Sequence, residues 1–85
     1  MSERVLKKLL QAEVAVNHLL GMGVEISHVD ISESRPKIWL RGKDDALRAL
    51  FNSGIHLVRP AANGGRETIM AAPFQGCQLQ WGVQQ

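Results

Sequence analysis

The sequence predicts an α+β domain: a single antiparallel sheet of four to five strands packed on one long N-terminal helix, with a second short helix, in the order α-β-β-α-β-β-(β). Three observations carry this. Apolar residues recur at helical spacing from Glu3 to Leu20, apolar and polar residues alternate around Val29–Leu40 and Gln78–Val83, and Gly, Pro and Asn clusters punctuate the chain between them.

The N-terminal helix is expected over 3–20, with Ser2 as N-cap and Gly21 as its stop. Stepping about 100° per residue places Leu19, Ala12, Val5, Val16, Leu9, Leu20, Leu6 and Leu10 on one arc, broken by Glu13 and Asn17. That arc spans roughly half the circumference, wider than the stripe one sheet contact needs. The surplus calls for a second contact, with another element or another copy. Arg4, Lys7, Lys8, Gln11 and His18 gather on the other side. With the helix lying on the sheet, this basic surface is expected to point away from it.

A hairpin follows. If Glu33–Pro36 is a four-residue loop, Ile31 faces Ile38, Asp30 faces Trp39, Val29 faces Leu40 and His28 faces Arg41. Both faces then sort cleanly: Val29, Ile31, Ile38 and Leu40 form an apolar face, and His28, Asp30, Ser32, Lys37, Trp39 and Arg41 a polar one. Val24 and Ile26 have the opposite parity, which calls for a bulge near Ser27.

Gly42 ends the hairpin, and a short helix opens at Lys43 or Asp44 and runs to about Asn52, with Gly54 as stop. Ala46, Leu47, Leu50 and Phe51 hold core spacing there. Asp44 and Asp45 suit its positive N-terminal end and do not make a catalytic pair, because consecutive helical residues diverge. A strand over 55–59 stops at Pro60, a turn at Asn63-Gly64 leads to a returning strand over 66–71, and a Pro73–Gly76 loop precedes the final strand.

The chain of 85 residues is long enough for one domain with a modest core. Leu, Ile, Val and Phe number 24, enough for a folded globule. A net charge of +2 is mild, so steering of an acidic partner would need local clustering. One cysteine, Cys77, makes no internal disulfide or Cys-x-x-Cys site, and no secretory or membrane-spanning segment is present, so a soluble cytoplasmic protein is expected.

The functional lead is the stripe Arg35, Lys37, Trp39 and Arg41: three cations and an indole at strand spacing. Cations beside a stackable ring suit single-stranded nucleic acid, since phosphate attraction and stacking tolerate any sequence. The alternative is a solvated strand face with Trp39 covered by its neighbours. A second lead is the uncharged run from Thr68 to Gln85, ending in an alternating strand without Lys or Pro protection. Its members Gln78, Leu79, Gln80, Trp81 and Val83 make either an interior strand or an edge that pairs with another chain.

Other chemistry lacks support. His18, His28, His56 and Cys77 show no zinc-motif spacing, Gly21-Met-Gly23 follows a helix rather than a strand, and no Ser, Thr or Cys stands beside a recognisable base. No catalytic residue, metal or cofactor is expected. The helix surface and the Trp39 stripe lie on opposite sides in this reading and do not make one groove. The expectation is therefore a small non-enzymatic interaction module: a homodimer, or a subunit or inhibitor of a larger protein, of the size common among bacterial and phage accessory proteins. Nucleic-acid binding through Arg35, Lys37, Trp39 and Arg41 stands as the alternative.

Overall fold

The structure, a computed structural model, describes residues 2–51, 55–60 and 64–83, with residues 55–60, 66 and 67 as backbone only. The elements are α1 (Glu3–Gly21), β1 (Glu25–Asp30), β2 (Lys37–Arg41), α2 (Asp44–Phe51), β3 (Ile55–Pro60), β4 (Arg66–Phe74) and β5 (Cys77–Gly82). This is the α+β order expected, with every predicted element present. No helix among the described residues is long and apolar enough to cross a membrane.

The five strands form one sheet in the order β1-β2-β5-β4-β3. It is mixed rather than purely antiparallel, because β5 runs parallel to β2 while every other neighbouring pair is antiparallel. The reason lies in the route of the chain. After β2 it leaves through α2, builds β3 and β4 on the far side, and returns as β5 into the centre.

Helix α1 begins as its sequence dictates: the Ser2 hydroxyl accepts from the Val5 amide at 3.3 Å. At its end the Met22 amide donates to the carbonyls of His18 and Leu19, and Gly23 takes the positive φ that turns the chain back. The bulge falls where parity requires it. Ile26 pairs with Leu40 and His28 with Trp39, leaving Ser27 as the extra residue.

The hairpin register differs from the expected one by two residues. Val29 pairs with Ile38 and Asp30 with Lys37, so the connection is the six residues Ile31–Pro36. Groups outside the ladder satisfy this loop's backbone. The Asp30 carboxylate accepts from the Ser32 amide at 2.8 Å, Lys8 Nζ donates to the carbonyls of Ile31 and Glu33 at 2.9 and 3.0 Å, and the Pro36 carbonyl accepts from Gln78. A slip of two preserves parity, so Ile38 and Leu40 are buried and Trp39 lies on the opposite face as expected. Arg35 falls in the loop, and the strand stripe reduces to Lys37, Trp39 and Arg41.

Strand β4 runs further than expected, through Pro73 to Phe74. Pro73 lies past the pairing of Ile55 with Ala71, where β4 has only one neighbour and a missing amide is tolerated. Gln75 and Gly76, both at positive φ, then make a two-residue hairpin turn. Of the Asn63-Gly64 turn, Asn63 lies outside the described residues; Gly64 has φ of 85°.

Both helices lie on the sheet face formed by Ile38, Leu40, Cys77, Leu79, Trp81, Met70 and Ala72. Ala15, Leu19, Val24 and Leu47 join that core, with Phe51 packed edge-on against Phe74. Trp81 is fully buried, and its indole nitrogen donates to Asp44 Oδ1 at 3.0 Å. Asp44 thus anchors α2 to the sheet through Trp81, while its other oxygen pairs with Arg48 at 2.9 Å. The favourable helix-end charge expected for Asp44 is there, and the buried indole partner is what the sequence did not disclose.

Candidate functional site

Three surfaces stand out, and each sits on an element whose placement follows from the packing above. The first is the sheet face away from the helices. Across it runs the row His28, Trp39, Gln80 and Ala71, one residue from each of four adjacent strands. Trp39 and His28 stack with ring centroids 5.5 Å apart and planes 18° from parallel. Lys37 and Arg41 flank the indole on β2, and no described helix covers this face.

The electrostatics of this face are partly spent internally. Lys37 Nζ lies 2.7 Å from Glu33 Oε2, and Arg41 reaches Glu25 at 3.9 Å. Asp30, expected opposite Trp39, pairs with Lys37 instead, and its carboxylate turns back on the loop to Ser32. Hydrogen bonds from the Ser32 side chain and amide, with weaker attraction from Lys37 and His28, hold its carboxyl below the usual carboxylate range. The structure brings Lys37, Trp39 and Arg41 together and leaves Arg35 apart.

The C-terminal strand is not an edge. β5 pairs with β2 on one side and β4 on the other, so Gln78, Leu79 and Gln80 are paired on both sides in an interior strand, and Trp81 continues it against Met70 of β4. Val83 lies beyond β5, its amide donating to the Thr68 carbonyl at 3.0 Å. The unprotected alternation has a structural cause: an interior strand needs no charge to ward off another chain. Of the two alternatives, β5 takes the interior one, so Gln78, Leu79, Gln80 and Trp81 do not form a partner edge, and Val83 follows the strand. The sheet's edges are β1, broken by its bulge, and β3.

The second surface is the outer face of α1. Against the sheet the helix buries Ala12 and Leu19, at one margin of the predicted arc, and Ala15 just outside it, because the two small residues let it approach closely. Val5 and Val16 are half-buried, Val16 against the core, and the leucines of the arc turn outward: Leu6, Leu9, Leu10 and Leu20 are 39–57% exposed, with Val14 beside them. Glu13 and Asn17 are exposed among these leucines. The surplus apolar arc therefore has no cover among the described residues.

The third surface is a groove of about 550 Å³ between α1 and the Ile31–Pro36 loop, lined by Arg4, Lys7, Lys8, Ser32, Glu33 and Ser34. Here an expectation is overturned. The basic side of α1 does not point away from the sheet; it meets the tip of the β1–β2 hairpin, because burial of Ala15 and the two hydrogen bonds from Lys8 rotate it there. Glu33 joins the basic surfaces, its carbonyl held by Lys8 and its carboxylate by Lys37. Nothing in the linear pattern signals this meeting except the length of Lys8 and the carbonyls of a loop.

Other candidates stay ordinary. Cys77 is buried with its thiol against the Gln11 carbonyl, and burial pushes its pKa up, the reverse of an activated thiolate. His18 contacts Gln75 and the edge of Phe74. Among the described residues no group of three His, Cys, Asp or Glu gathers as a metal site would require. No protein-family model, curated protein or solved structure matches the chain.

Proposed function

We propose that this protein is a small non-enzymatic interaction module that docks a helix of a larger protein partner on the outer face of α1. The observation that carries the reading is the row of outward leucines, Leu6, Leu9, Leu10 and Leu20, on a helix whose opposite side already satisfies the sheet. At the exposures given, the stripe offers on the order of 400 Å² of apolar surface, the size of patch that tends to be functional on a small monomer. Leu9 and Leu10 follow Leu6 by three and four residues and Leu20 follows it by fourteen, or two heptads, spacings that suit a partner helix laid alongside.

Glu13 selects the occupant. It sits at the middle of the stripe, so a symmetric antiparallel pairing centred there sets Glu13 against its own copy, a like-charge contact with little water around it. A partner helix with Lys or Arg at that position converts the same contact into a complementary one. Self-association is therefore the weaker use of the face.

The test uses a synthetic helix with the α1 sequence carrying Glu13→Lys, titrated against the protein. It should bind about tenfold or more tightly than the unmodified α1 peptide, and Leu10→Glu in the protein should abolish the difference. Equal affinity for the two peptides would overturn the reading.

A second reading, single-stranded nucleic acid at the β1–β2 end of the sheet face away from the helices, is favoured by the stacked Trp39 and His28 rings between Lys37 and Arg41; Gln80 and Ala71 further along the row are buried. Its cations are engaged by Glu33 and Glu25, which places it behind the first.

A further inference from the structure

We infer that the groove between α1 and the β1–β2 loop is a binding site for a phosphate-bearing anion, distinct from the leucine face. Arg4 and Lys8 stand one helical turn apart and Arg4 and Lys7 three residues apart, so three like charges share one side of α1. Such pairs destabilise a helix when nothing answers them. Neither Arg4 nor Lys7 forms an ion pair with a described residue. Lys8 is fixed by the carbonyls of Ile31 and Glu33, which holds its charge at the groove wall without neutralising it.

The one acid in the lining is already answered. The Glu33 carboxylate is held 2.7 Å from Lys37, a residue outside the groove, so the groove presents an excess of positive charge. Ser34 adds a hydroxyl donor on the opposite wall, while the Ser32 hydroxyl is engaged by Asp30. A multivalent anion with several acceptor oxygens matches this set: three cations from one wall and the Ser34 hydroxyl from the other converge on it, as for phosphoryl groups elsewhere. A monovalent carboxylate would use fewer of these donors.

The test is a backbone amide NMR titration at low ionic strength with sodium pyrophosphate, a chloride series of matched ionic strength as baseline, and a short oligothymidylate in a parallel arm. Saturable shifts are expected at Lys7, Lys8 and Ser32–Ser34. Arg4→Gln with Lys7→Gln should weaken binding roughly tenfold or more. Glu33→Gln should tighten it severalfold, an effect that a structural role for these residues would not produce. Arg48→Gln on α2 should change nothing. Tighter binding of pyrophosphate than of oligothymidylate assigns the phosphate to a small ligand, and the reverse order assigns it to a nucleic-acid backbone; both support the site. Absence of saturation at about 10 mM pyrophosphate, or shifts indifferent to the Arg4 and Lys7 changes, would overturn it.

Discussion

Replacing Glu13 by Leu should turn the outer face of α1 into a seam that pairs with itself. In the unmodified protein each copy brings on the order of 400 Å² of apolar surface, about half of what a standard interface takes from one partner. With Glu13 facing its own copy as well, the protein is expected to sediment mainly as a monomer at about 10 µM. The substitution removes the like-charge contact and adds one leucine from each copy. Burial of a leucine is worth about 1.5–3 kcal/mol, so two at half efficiency contribute roughly 1.5–3 kcal/mol, about ten- to a hundredfold in dimer affinity. Because Glu13 is exposed in the monomer, folding should be nearly unaffected. Sedimentation velocity across a concentration series reads the result as a discrete dimer, and adding Leu10→Glu should return it to monomer. A Glu13→Leu protein that stays monomeric, or an unmodified protein that is already a tight dimer, would refute the assignment of Glu13 to the centre of the docking face.

Gln80→Pro, which removes a donor from an interior strand, should unfold the chain and abolish the cooperative transition seen by circular dichroism; a folded variant would contradict the central place of β5. Trp39→Ala should leave folding intact and, if the open face stacks bases, cost about 1–3 kcal/mol in oligonucleotide affinity measured by fluorescence anisotropy, while Lys37→Gln with Arg41→Gln flattens the salt dependence. Cys77 should resist alkylation by iodoacetamide in the native protein at neutral pH and react fully in denaturant, since its thiol is buried and its pKa raised. The carboxyl of Asp30 has its pKa lowered in the fold, so its stabilising contribution is present above the unfolded-state pKa and is lost as pH falls through the folded-state value. Asp30→Asn should accordingly flatten the acid limb of a stability profile below about pH 4, measured by urea midpoint.

What the sequence by itself determined is local. The Ser2 cap, the period of α1, the alternation of β2 and β5 and the parity break at Ser27 all follow from spacing within a few residues, and each is present in the fold; the expected stop at Gly21 moves to Gly23, which takes the positive φ after the helix. Parity also protected the assignment of faces: the hairpin slipped by two residues without moving Trp39 or Ile38 to the other side. What only the tertiary structure decided is non-local. Whether β5 is an edge or a centre depends on which strands arrive beside it, and alternation looks the same in both cases. The rotation of α1 was settled by how closely Ala12 and Ala15 could approach the sheet and by the reach of Lys8 to the carbonyls of Ile31 and Glu33, contacts 23 and 25 residues away in the chain. That rotation turned the leucines outward and the cations toward the hairpin, because a helix with an apolar arc wider than one contact can be satisfied at either margin.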